Sequence, residues 1–102
     1  MKDYSVIDLL ENYKLNRSKL MLLNNKQKES KELVDLNENI EKLNICINCL
    51  PDEEKEIVKQ VYINGITIKK VSKMLIMSRT TVYRRLQKAI EMLEELFKTI
   101  KN

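Results

Sequence analysis

A chain of 102 residues suffices for one small domain, or for a domain with an appended helical arm, and can bury only a modest core. One Gly, one Pro and 33% charged residues, with abundant Leu, Lys, Glu and Ile, exclude a sheet-rich fold and predict an all-α protein. No run approaches the roughly 20 apolar residues of a membrane span, and no signal peptide is visible, so we expect a cytoplasmic protein.

The first half of the chain reads as a helical arm. Residues 4–24 carry a wide apolar face, which predicts a helix. The polar stretch Asn24–Lys31 is the best candidate for a turn, but it contains no Gly or Pro. One long helix and a helical hairpin therefore both remain open for this arm, to which we assign residues 1–49.

A heptad pattern follows in the arm. Its apolar residues are spaced 3-4-3-4-3, which forms a seam over two and a half heptads, short of a confident coiled coil. Packing on the same chain and dimerisation fit this seam equally well. Because the seam and the last helix together exceed what one three-helix unit can bury, we predict a homodimer. The residues assigned to dimerisation are Leu33, Leu36, Ile40, Leu43, Ile47, Leu93 and Phe97.

Cys46 and Cys49 form a C-x-x-C pair at the end of this arm. A tetrahedral zinc site needs four ligands, and the chain has no His and no third Cys. Two chains could share a four-sulfur site, but two small apolar residues, reduced in the cytoplasm, explain the pair better. We therefore predict no metal and no cofactor.

A new helix is predicted to begin at Pro51, because Pro needs no N–H partner there and the acids at 52–54 suit the positive end of the helix dipole. Its buried face comprises Ile57, Val58, Val61 and Tyr62, and Gly65 closes it as a left-handed cap.

Residues 67–89 then predict a helix-turn-helix. Thr67 and Ser78 are suited to cap two helices, since each hydroxyl can accept from a free backbone N–H of the first turn. The first helix is short and amphipathic, and the second keeps an apolar stripe to Phe97. Two such helices can pack at a steep angle and present the second one outward.

Charge supports the same interpretation. Between Ile57 and Ile90 there is no Asp or Glu, while eight Lys and Arg residues lie in this window. A polyanionic partner is the simplest reason to exclude acids from a basic two-helix segment.

The segment LPDEEKEIVKQVYINGITIKKVSKMLIMSRTTVYRRLQKAI resembles region 4 of bacterial sigma-70 type factors, a helix-turn-helix that binds promoter −35 elements. The full layout, with YSVIDLLENYKLNRSKL near the start, resembles phage-encoded ArpU-type transcriptional regulators. Two positions depart from the pattern. Ile76 replaces a common turn Gly, so that turn must be right-handed or strained, and Ser72 replaces a small Ala and needs a carbonyl to bond.

This resemblance implies an all-α fold whose second domain, residues 50–102, binds DNA with a long recognition helix. It also implies that four residues reach base edges in the major groove, namely Arg79, Thr80, Tyr83 and Arg84. Phosphate contacts are predicted for Thr67, Lys69, Lys70, Thr81, Arg85 and Lys88.

Three functions compete. The first is a transcription regulator of phage late genes that binds double-stranded DNA. The second is a module that docks on RNA polymerase, and the third is a DNA-packaging recognition subunit of the small terminase type. The chain has no His and no Gly-rich phosphate loop, so we predict a protein that is not an enzyme.

Overall fold

Six α-helices and one π-helical turn form the regular structure of the computed structural model, which describes residues 5–25 and 31–100 (backbone only at 23–25, 32 and 33). The helices are α1 (Val6–Glu11), α2 (Tyr13–Asn25), α3 (Lys31–Asn48), α4 (Asp52–Val58), α5 (Ile68–Met74) and α6 (Arg79–Thr99), and the π-helical turn spans Lys59–Ile63. No strand occurs in these ranges. The prediction of an all-α protein is confirmed.

The helix predicted over residues 4–24 is broken at Asn12. Ser5 caps α1, because its Oγ accepts from the backbone N–H of Asp8 at 3.2 Å. Asn12 leaves helical geometry with φ −106° and ψ 16°, and its side-chain amide donates to the carbonyl of Asp8 at 3.0 Å. An Asn that bonds a nearby carbonyl competes with the helical ladder, which accounts for two helices where one was predicted.

The two longer helices of the arm form a hairpin, which resolves the open alternative. Tyr13 Oη donates to Asn44 Oδ1 at 2.6 Å. In one straight helix these two residues would lie roughly 45 Å apart at 1.5 Å per residue. Helix α2 therefore folds back on α3. The predicted turn lies largely in residues 26–30, outside the described part of the chain.

The heptad seam is buried within one chain. Leu36, Ile40, Leu43 and Ile47 are each at most 8% exposed, because α3 packs against α1, α2, α4 and α6. Leu93 of α6 is fully buried. Phe97 is half-buried in the same core, and the Lys42 ammonium lies 5.7 Å from the centre of its ring.

This burial removes the premise of the dimerisation residues. A side chain that its own chain covers cannot also be covered by a second copy in the same fold, so Leu36, Ile40, Leu43, Ile47 and Leu93 are core residues. The side chain of Leu33 lies outside the described part of the structure. The homodimer itself stays a prediction, without this interface.

One hydrophobic core joins both predicted segments. Val6, Leu9, Leu10 and Tyr13 of the arm belong to the same buried cluster as Ile57 and Val82 of the second half. The predicted boundary between residues 49 and 50 is therefore a boundary in sequence character and not a gap in the packing. Arm and second half therefore contribute apolar side chains to the same core.

Helix α4 begins at Asp52, one residue after the predicted start, with Pro51 as its N-cap and the three predicted acids in its first turn. It continues into the π-helical turn, where Asn64 N–H donates to the carbonyl of Lys59 at 2.8 Å. Gly65 follows with φ +68°, which confirms the predicted left-handed cap. This turn sets the chain in position to start α5.

The turn between α5 and α6 is a Schellman motif with an unusual residue at its left-handed position. Met77 N–H donates to the carbonyl of Ser72 at 2.9 Å, and Ile76 N–H to that of Lys73 at 3.4 Å. Ile76 has φ +55° and is 92% exposed, so this turn takes the strained of the two alternatives. Ser72 is buried, and its Oγ donates to the carbonyl of Lys69 at 2.7 Å, the bond that the sequence required.

Ile76→Gly is expected to stabilise the protein. The left-handed conformation costs an L-residue roughly 1–2 kcal/mol, and Gly removes this cost. Gly also loses more conformational entropy on folding, which costs about 0.5–1 kcal/mol, so we expect the free energy of unfolding to rise by roughly 0.5–1 kcal/mol. Urea unfolding followed by circular dichroism measures it. The matched control is Lys73→Gly in the adjoining helical turn, which should lose about 1 kcal/mol. Equal losses for both variants would show that Ile76 is unstrained.

Leu43→Ala tests whether arm and second half share one core. Leu43 is fully buried, so its truncation should cost about 2–5 kcal/mol and should lower the midpoint of a single transition. Leu15→Ala on the exposed face of α2 is the control, with an expected change within about 0.5 kcal/mol. Two separate transitions, with the second half unaffected by Leu43→Ala, would contradict a common core.

Candidate nucleic-acid interface

Helix α6 has a fully internal face and a fully external face. Val82, Leu86, Ala89 and Leu93 are spaced 4-3-4 and are at most 7% exposed. At about 100° per residue, the opposite face carries Thr80, Arg84 and Lys88, all exposed. The packing of α6 thus decides which side chains it can offer to a partner.

The four predicted base contacts all lie at the surface. Thr80 and Arg84 are on the outward face, whereas Arg79 and Tyr83 lie on one flank of the first two turns. Tyr83 is 59% exposed and does not pack into the core. All four therefore present hydrogen-bond donors to solvent at the N-terminal half of α6.

Sequence reasoning missed Gln87. This residue is exposed, and it follows Thr80 and Arg84 at 4-3 spacing on the outward face. Its amide both donates and accepts, which is the pattern that pairs with adenine in the major groove. The signal was present in the sequence, because the positions opposite Val82, Leu86 and Ala89 can be counted without a structure.

Serine and threonine hydroxyls fix the starts of α5 and α6. Thr67 Oγ1 accepts from Lys70 N–H at 3.3 Å, and Ser78 Oγ accepts from Thr81 N–H at 3.1 Å. Ser78 Oγ also donates to Thr81 Oγ1 at 2.9 Å. Both predicted caps are confirmed, and the hydroxyl of Thr81 is engaged in the cap.

The predicted phosphate contacts separate into two groups. Lys69, Lys70 and Lys88 are exposed cations, and Thr67 is exposed at the start of α5. Arg85 lies elsewhere: its Nη1 is 2.6 Å from Glu53 Oε2 and 3.9 Å from Glu54 Oε2. Because two carboxylates of α4 compensate this guanidinium, we assign Arg85 to holding α4 against α6 and not to phosphate.

The remaining polar chemistry is sparse. Cys46 is buried and Cys49 exposed, and both are free thiols. Burial, and then the neighbouring Cys49, raise the pKa of the Cys46 thiol, which disfavours the thiolate that metal binding requires. In the ranges 5–25 and 31–100, no three His, Cys, Asp or Glu residues are grouped to hold a metal ion. No helix in these ranges is long and apolar enough to cross a membrane.

Comparison with known proteins bears on the same segment. The family model of "Sigma-70, region 4" matches residues 46–95, which begin in the last turn of α3 and end within α6. No curated protein and no solved structure matches the chain. The matched stretch contains α4, the π-helical turn, α5 and the outward face of α6. Residues 46–95 of this protein therefore form a sigma-70 region 4-like helix-turn-helix, a DNA-binding domain.

Proposed function

We propose that this protein is a sequence-specific transcription regulator that reads the major groove with the N-terminal half of α6. The observation that carries the proposal is the outward face of that helix. Thr80, Arg84 and Gln87 present donors and an amide on that face, and Arg79 and Tyr83 add donors on its flank. All five lie in a segment free of carboxylates. Side chains of these types match the edges of base pairs in the major groove.

Backbone contacts supply affinity in this proposal. Lys69 and Lys70 at the start of α5 and Lys88 on α6 are exposed and, within the described residues, have no acidic partner. Compact ammonium groups on flexible stems neutralise phosphates without sequence choice. The same helix pair thus combines readout of bases with attachment to the strands.

The proposal takes a specific biological form. The resemblance of the arm and the layout to ArpU-type regulators supports an activator of phage late genes. Docking on RNA polymerase is the second candidate, supported by the match of residues 46–95 to the family model of sigma-70 region 4. Recognition of a DNA-packaging site has no observation of its own in its favour, and binding restricted to such a site would be needed to revive it.

DNA binding is expected to depend steeply on salt. If four to six phosphates are neutralised, log K against log salt should fall with a slope of roughly −4 to −5. Fluorescence anisotropy with a labelled duplex between 50 and about 300 mM salt measures the slope. A flat response would contradict the proposal and favour the polymerase-docking module.

Base contacts and phosphate contacts should respond differently to substitution. Arg79→Ala and Arg84→Ala should lower the affinity for the selected site by about 1–3 kcal/mol relative to random DNA. Lys88→Ala, a matched control from the same helix, should weaken both equally. Selection of a binding site from random duplexes supplies the probe. An unchanged ratio of specific to random affinity in both Arg variants would remove base readout from the N-terminal half of α6.

A further inference from the structure

The acid-free basic window of the second half has a counterpart in the arm. Between Asn12 and Lys28 there is no Asp or Glu, and Lys14, Arg17, Lys19, Lys26 and Lys28 lie in this stretch. The two windows together contain thirteen of the nineteen basic residues and none of the fifteen acidic ones. Most soluble surfaces intersperse both signs of charge, so two acid-free basic windows are compatible with a polyanionic partner.

The fold brings these two windows into contact. The Lys14 ammonium lies 3.4 Å from the carbonyl of Asn64, in the turn that follows the π-helical segment. It also lies 3.1 Å from the position that a Cβ on Gly65 would occupy. Gly65 precedes Thr67 by two residues, a chain length of at most about 7 Å, so this charge lies beside the start of α5.

Lys14 and Arg17 line one cleft. With Tyr13, Ser18 and Ile63 they border an open space of about 370 Å³ between α2 and the π-helical turn. Both cations are exposed, and neither forms an ion pair within the described residues. Lys14 bonds only a neutral carbonyl, so its charge is not compensated there.

Acidic groups lie on other elements. Within the described residues they occur on α1, on α3, on α4 (Glu56 near its end as well as the three acids of its first turn) and in the part of α6 that follows Ile90. The basic surface therefore runs from α2 across the turn at Gly65 to Thr67, Lys69 and Lys70. A stretch of roughly 10 Å along a duplex axis carries about three phosphates of each strand, which is enough for both groups of cations.

We propose that α2 extends the DNA-binding surface beyond the helix-turn-helix. Lys14 and Arg17 contact the phosphate backbone that flanks the sequence read by α6. Residues 46–95 do not include α2, so this contact is a contribution of the arm. The inference rests on the proposed DNA-binding function and adds a second point of attachment to it.

Single substitutions measure each contact. Lys14→Ala and Arg17→Ala should each reduce the steepness of the salt dependence by about 0.9, and the double variant by about 1.8, as one and two released counterions require. The ratio of specific to random affinity should stay unchanged, because phosphate contacts carry no sequence choice. Lys98→Ala is the matched control, an exposed Lys on α6 beside acidic residues, and should leave the slope unchanged.

A footprint locates the contact. Hydroxyl-radical cleavage of the bound duplex should show protection beyond one edge of the site in the wild-type protein, and the double variant should lose that flank alone. Because the Lys14 ammonium donates to the turn at Gly65, Arg17→Ala and Arg17→Glu serve as further variants, since the Arg17 side chain forms no hydrogen bond within the described residues. Lys14→Arg keeps the positive charge and should keep the wild-type slope of log K against log salt. Thermal melting verifies the fold of each variant.

The outcomes separate the two proposals. Suppose that the wild-type protein binds DNA with a steep salt dependence, and that Arg17→Ala and Arg17→Glu change neither this slope nor the flanking footprint. The proposed contact of α2 with DNA is then wrong, and the proposed DNA-binding regulator is unaffected. If wild-type protein shows no salt-dependent binding, both proposals fall together. A reduced slope with a narrower footprint supports the extended surface.

Discussion

The burial of one stripe on α6 is the contact on which the rest of the structure depends. Val82, Leu86, Ala89 and Leu93 are buried in the common core, and α6 packs against α1, α3, α4 and α5, so this stripe lies where the other helices meet α6. Apolar burial of this kind stabilises by roughly 1.5–3 kcal/mol for each large aliphatic side chain. Because the stripe is internal, the side chains half a turn away are necessarily external. The outward face of α6, which we propose faces DNA, is thus a consequence of core packing.

Two polar features refine the orientation that this packing produces. Arg85 joins α6 to Glu53 of α4 at the flank of the stripe, and part of its side chain is withdrawn from water. Partly exposed ion pairs contribute little to the free energy of folding. The Arg85–Glu53 pair therefore acts more on the orientation of α4 relative to α6 than on stability. The Schellman turn at Ile76 fixes the angle between α5 and α6, and it does so with a β-branched residue in a left-handed conformation.

The arm is part of the packing around α6 and is not merely an appended segment. Helix α3 of the arm packs against α6, whose partly buried Phe97 lies beyond the end of the matched segment at residue 95. Lys42 over the ring of Phe97 marks the outer end of that contact. A helix of 21 residues would otherwise expose part of its apolar face, so the arm makes a long recognition helix compatible with a single chain.

The sequence by itself determined the features that depend on local chemistry. Hydroxyls at 67 and 78, acids after Pro51 and the glycine at 65 specify where helices start and stop, since each acts on backbone groups within one turn. Helical periodicity likewise specified Val82, Leu86 and Leu93 of the apolar stripe of α6, although the structure buries Ala89 more deeply than the expected Ile90. The opposite face contains Gln87. The expectation of a polyanionic partner likewise rests on the sequence, because the basic residues between Ile57 and Ile90 can be counted without a structure.

The tertiary structure alone decided what depends on distance between remote residues. A 3-4 seam is the same whether its partner is a second copy or another helix of the same chain, so only the packing of α3 against α1, α2, α4 and α6 assigned Leu36, Ile40, Leu43 and Ile47 to the core. The break at Asn12 arises from one side-chain bond that competes with the helix, and periodicity does not detect it. Arg85 and Arg84 are neighbours of equal charge, yet one faces a carboxylate and the other solvent, because successive residues of a helix point about 100° apart.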